Sequence, residues 1–97
     1  MSGNEIIHDG TVGELAYADF FRGGLVPCKV VAIETAGCGR WASGGKIVVR
    51  LTADRGGYRR GEIHTCNASS VVPRKMARID RNGFTVVDVR YSWGVGR

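Results

Sequence analysis

Nowhere in these 97 residues does an apolar run approach the roughly 20 residues that a membrane-crossing helix requires, so no helical anchor is expected. Met1 to Gly10 has neither a basic n-region nor an apolar h-region, and no secretion signal is expected either. Cysteines number only three, which cannot all pair within one chain. Without export they read as reduced thiols, and the expected location is the cytoplasm. No C-x-x-C or comparable ligand spacing accompanies them. Cys38, His64 and Cys66 are therefore not expected to hold zinc, and Cys28, beside Val26, Pro27 and Val30, reads as a small buried residue.

Catalytic signatures are also missing. Gly39 to Ile47 approaches a phosphate-binding loop but inserts Gly45 and places Ile47 where a hydroxyl should coordinate magnesium. His8 and His64 stand in segments with no nucleophile at a recognisable spacing. The nine acids are scattered, and Asp54 and Glu62 sit among arginines that keep them ionised. An enzyme is not expected, nor is a cofactor.

Glycine is abundant instead: 15 residues, about twice the usual share, which calls for many tight turns. No ten-residue stretch carries a helical stripe, and the apolar period is two throughout. Leu15, Tyr17 and Phe21 fall on one side of a first strand, with Tyr17 read as a core residue, and Arg22 to Leu25 as the turn into a return strand ending at Ile33. In that strand Val26, Cys28 and Val30 lie on one face and Val31 and Ile33 on the other. Thr35 to Gly45 reads as the longest loop, with Trp41 in its middle as an exposed contact residue. Lys46 to Thr52 alternates with Ile47, Val49 and Leu51 inward. Arg55 to Gly61 reads as a flexible loop, Glu62 to Cys66 as a short strand, and Ala68 to Ser70 as a 3₁₀ turn. Asn82-Gly83 predicts a type I′ hairpin that sets Ile79 opposite Val86 and Arg81 opposite Phe84. One domain is expected over residues 11–90, with a flexible arm or short edge segment at 1–10 and a tail at 91–97 whose aromatics fold back on the barrel.

The opening Val12-Gly13-Glu14-Leu15-Ala16-Tyr17 is similar to the "x-G-D-x-V" start of SH3-like barrels, and Ser70-Val71-Val72-Pro73 is similar to the turn before their last strand. The chain thus resembles an SH3-like small barrel over roughly residues 11 to 79, all-β, partly open, of five to six strands, with an added C-terminal hairpin. In texture it also resembles small proteins encoded by bacteriophages or prophages. Such barrels bind nucleic acids, peptides and proteins alike, so the resemblance implies a binding module without fixing its partner.

Charge narrows the choice. The chain carries a formal +5, and residues 50–81 alone hold eight cations against three acids. Arg55, Arg59 and Arg60 surround Tyr58 in a glycine loop, and Arg74, Lys75, Arg78 and Arg81 follow on the next segments. If these stretches adjoin, they form a basic face for phosphates, with Tyr58 available to stack on an unpaired base. The expected partner is nucleic acid or an acidic protein surface, and barrel edges leave room for a homo-oligomer. A second expectation, from the phage-like texture, is a virion connector or an anti-CRISPR-like inhibitor of a host defence complex.

Overall fold

The computed structural model describes residues 6–20, 24–38, 44–80, 83–86 and 90–94. Within them the chain is all-β. Its main sheet is antiparallel and is built from β2 (Leu15–Phe20), β3 (Gly24–Thr35), β5 (Lys46–Leu51), β6 (Ile63–Asn67) and β7 (Val71–Pro73), in the order β6-β5-β3-β2-β7. Five antiparallel strands in a sheet that is not closed are compatible with the small, partly open barrel expected. A 3₁₀ turn at Ala68–Ser70 stands where the resemblance requires it, between β6 and β7. The two edge strands do not pair, so the barrel stays partly open.

Two smaller units complete the fold. β8 (Ala77–Asp80) and β9 (Gly83–Val86) form the added hairpin, preceded by a second 3₁₀ turn at Arg74–Met76. β1 (Ile6–Gly10), β4 (Gly37–Cys38) and β10 (Arg90–Trp93) form a separate sheet in which β10 lies centrally, parallel to β1 and antiparallel to β4. β3 carries register shifts between Val30 and Ala32 and between Ile33 and Thr35. Such bulges bend a strand and add twist, and here the chain runs directly from β3 into β4 of the second sheet.

The core follows the alternation. Ile47, Val49 and Leu51 of β5 and Val26, Cys28 and Val30 of β3 are buried, as expected. Pro27 is tolerated because it stands one residue before the β3–β5 ladder begins at Cys28, and its carbonyl accepts the Thr52 N–H at 3.0 Å.

Four expectations change. In β2 the buried residues are Ala16 and Ala18, whereas Leu15 is 48% exposed and Tyr17 only half-buried. The larger side chains lose the interior because it is filled from elsewhere: Trp93 and Tyr91 are its two largest fully buried side chains. Second, residues 1–10, read as a flexible arm or short edge segment, contain the edge strand β1, and the tail, whose aromatics fold back into the core as expected, contributes to β10, with which β1 pairs. Third, the β8–β9 register sets Ile79 opposite Phe84 and Asp80 opposite Gly83, not Ile79 opposite Val86. The slip is of two residues, and it exchanges an Arg81–Phe84 pairing for Ile79–Phe84. Fourth, Arg55 to Gly61, expected as a flexible loop, holds a two-residue turn at Gly56-Gly57 with φ of 57° and 90°, while Asn82 of the expected Asn82-Gly83 turn lies outside the described residues.

Both core aromatics also meet their polar needs. The Trp93 indole N–H donates to the Val71 carbonyl at 3.1 Å and the Tyr91 hydroxyl to the Ser69 carbonyl at 3.5 Å, so each is pinned to the 3₁₀–β7 corner. Gly10 makes room for the indole. A Cβ there would lie 2.3 Å from a Trp93 ring carbon. Gly10→Ala is therefore expected to cost about 1–3 kcal/mol by overpacking, and Trp93→Ala about 3–5 kcal/mol by cavity formation. Urea denaturation of the two variants against wild type checks both values.

Candidate nucleic-acid interface

The loop between β5 and β6 is an ordered projection rather than a flexible span. Arg55 and Tyr58 exchange backbone hydrogen bonds of 2.8 and 2.9 Å around Gly56-Gly57, a two-residue hairpin whose positive φ angles only glycine adopts freely. Its return leg is fixed as well. The Arg60 N–H donates to Asp54 Oδ1 at 2.7 Å, the Glu62 N–H to the Arg59 carbonyl at 3.2 Å, and the Gly61 N–H to the Leu51 carbonyl at 2.8 Å.

Tyr58 anchors this hairpin to the barrel. Its ring stacks on Phe20 with centroids 4.2 Å apart and meets the edge of His64 at 5.5 Å. One face is thereby taken, and Tyr58 also lines a depression of about 490 Å³ together with Asp54, Arg55, Gly56, Gly57 and Arg59. Arg55, Arg59 and Arg60 are exposed. The nearby acids do not face them symmetrically: Asp54 is engaged by the Arg60 backbone, and Glu62 Oε1 meets His64 Nε2 at 2.9 Å. That contact, with the Arg59 backbone, holds the Glu62 carboxyl below its ordinary pKa.

Arg74 joins the second basic stretch to the first. Its Nη2 donates to Thr52 Oγ1 at 3.1 Å, its Nε to the Ala16 carbonyl at 3.3 Å, and its guanidinium lies 5.3 Å from the centre of the Tyr17 ring. Thr52 follows β5 immediately, at the foot of the Arg55–Arg60 hairpin, so the two stretches meet there. Arg74 is half-buried and serves as the joint, while Lys75 and Arg78 are exposed. Trp41 and Arg81 lie outside the described residues, as does the Arg22-Gly23 turn.

One pairing of cations escaped the sequence reading. Lys29 of β3 and Arg50 of β5 are directly opposite each other on the outer face of the sheet, and both are exposed. Alternation alone placed each outward; only the strand register brings them together.

The thiols are poorly disposed to chemistry. Burial pushes Cys28 up to about 12, helped by Cys66 and opposed by Arg74, and burial raises Cys66 too. Among the described residues no three of His, Cys, Asp and Glu gather at a common point, and no helix is long and apolar enough to cross a membrane. No protein-family model, curated protein or solved structure matches the chain.

Two measurements test these assignments. With Cys28 near 12, about one thiol in ten thousand is ionised at about pH 8, so iodoacetamide should leave Cys28 unmodified in the native protein and alkylate it in urea, as read by peptide mass spectrometry. Because the Glu62 pKa is lowered by folding, its contribution to stability is present above the ordinary carboxylate range and is lost as pH falls through the lowered value. Thermal melts should show wild type above Glu62→Gln at neutral pH, with the two converging in acid.

Proposed function

We propose that this chain is a non-enzymatic binding module that holds nucleic acid by its phosphate backbone, or docks on a nucleic-acid-handling complex, through the Arg55–Arg60 hairpin and the Arg74–Arg78 segment. The reading rests on one observation, the Arg74–Thr52 hydrogen bond that ties the second basic stretch to the foot of the first. Five exposed cations, Arg55, Arg59, Arg60, Lys75 and Arg78, then stand on two adjoining elements. Their contacts go to phosphates rather than base edges, so recognition is largely independent of sequence. A rigid glycine hairpin suits this role, since side chains held in place lose less entropy on binding than those of a floppy loop. Cytoplasmic placement in a host cell, with the gene carried by a phage, fits a partner of this kind.

The runner-up is a protein-interaction module, such as a virion connector or an inhibitor of a host defence complex. It gains weight from the aliphatic side chains exposed on the outer sheet face, Leu15 at 48% and Ile63 at 51%.

Titration with a fluorescent single-stranded oligonucleotide at several salt concentrations tests the first reading. Five phosphate contacts correspond to a log–log slope of about −3.5, and Arg59→Glu with Arg60→Glu should abolish binding. A complex indifferent to salt, or an unchanged affinity in the double variant, overturns it.

A further inference from the structure

The registers of four strands assemble a row of side chains that no single strand reveals. Leu15 of β2 is opposite Lys29 of β3, Lys29 is opposite Arg50 of β5, and Arg50 is opposite Ile63 of β6. Cross-strand partners share a face, and all four residues are exposed. The row therefore reads apolar, cation, cation, apolar across the outside of the sheet. Val31, 37% exposed, follows Lys29 by two positions on the same strand.

Its centre works against the fold. Like charges directly opposite each other destabilise a sheet, and among the described residues neither Lys29 nor Arg50 has an ion-pair partner. Glu14, beside Leu15 in sequence, points its Oε1 at the Thr11 N–H, 3.4 Å away. Asp19 is four residues along β2 from Leu15, roughly 14 Å at the rise of an extended strand. Among the described residues no counter-charge meets the pair, and an acidic partner would supply one.

We propose that this face docks an acidic amphipathic helix of a partner protein, with two carboxylates over Lys29 and Arg50 and an apolar side chain over each of Leu15 and Ile63. Charge complementarity selects the acid, and spacing selects the helix. Neighbouring strands lie about 4.8 Å apart, so the row spans about 14 Å. Residues i, i+3, i+7 and i+10 of a helix share one face and span about 15 Å, whereas alternate residues of an extended chain are about 6.8 Å apart and lose register within the row. A second copy of this chain does not fit, because a two-fold contact sets the same cations against themselves. Nucleic acid fits less well, because bases stack on aromatic rings and the flanks here are aliphatic. The nearest aromatic on this face, Tyr17, already has the Arg74 guanidinium 5.3 Å from its ring centre.

The probe is a synthetic helical peptide carrying Leu, Glu, Glu and Leu at those four positions, titrated into the isotope-labelled full chain. Amide shifts should cluster at Leu15, Lys29, Arg50 and Ile63. Arg50→Glu should weaken the peptide at least about tenfold, since it sets acid against acid, yet raise the melting temperature by placing an acid opposite Lys29. The paired gain and loss separates docking from misfolding. Arg59→Glu with Arg60→Glu should leave peptide affinity unchanged, which keeps this face distinct from the hairpin. Absence of shifts on this face overturns the proposal. So does displacement of the peptide by oligothymidylate at the same amides, which marks the face as a general polyanion surface.

Discussion

Trp93 and Tyr91 reach the core of the main barrel from a strand that belongs to another sheet, and the rest of the structure depends on that insertion. A five-stranded sheet whose edges do not pair cannot seal its own interior. Its β2 strand offers only Ala16 and Ala18 inward, leaving a volume that its own side chains do not fill. The two aromatics occupy it, and their hydrogen bonds to the Val71 and Ser69 carbonyls fix β10 against the corner from which β7 departs. An indole buried dry and satisfied in this way is among the largest single contributions a small domain can have, in a chain whose whole stability is only of order 5–15 kcal/mol. Gly10 then ceases to be a neutral linker residue and becomes the floor under the ring.

The same insertion explains which side chains of the sheet face outward. Because the interior is filled from β10, the outward side of β2, β3, β5 and β6 is free to carry residues chosen for something other than folding. Leu15 and Tyr17 would be natural core residues by hydrophobicity, yet they face outward. At one end of the barrel Phe20, Tyr58, His64 and Glu62 form a polar-capped aromatic stack that fastens the glycine hairpin to the sheet. The hairpin's guanidinium groups are thus presented from a rigid base, with Arg74 bracing it through Thr52.

How much of this could be read from residues alone varies by the range of the interaction involved. The β5 strand was legible because Ile47, Val49 and Leu51 alternate with polar or smaller neighbours, and the 3₁₀ turn at 68–70 because Ala-Ser-Ser interrupts two apolar runs. The face of β2 was not, since the rule that larger apolar residues go inward fails when a distant tryptophan has taken the space. β10 was hidden for a related reason: its glycine-rich surroundings have weak strand propensity, and its partners β1 and β4 lie far away in sequence. The pairing of β8 with β9 was legible with a two-residue slip, because alternation fixes parity and not register. Among the candidate site residues, the cluster Arg55, Arg59 and Arg60 was visible as composition, while the role of Arg74 as a joint, and the Lys29–Arg50 pair, required knowing which strands are neighbours.

That last pair bears on how the whole positive charge should be understood. A solubilising surface disperses its cations, since repulsion between near neighbours costs stability and solubility needs only net charge. Here Lys29 and Arg50 are set face to face between two exposed aliphatics, an arrangement worse for the isolated fold than exchanging either cation for an acid. Arg74, in contrast, has its charge spread over an aromatic ring, a hydroxyl and a carbonyl. The chain thus shows both treatments of a cation within two strands of each other: one made comfortable by the fold and one left wanting a partner. A negative partner would relieve local frustration of the second kind and make the free energy withheld from folding available to association. The contrast between Arg74 and the Lys29–Arg50 pair is what supports the docking proposed for the outer sheet face.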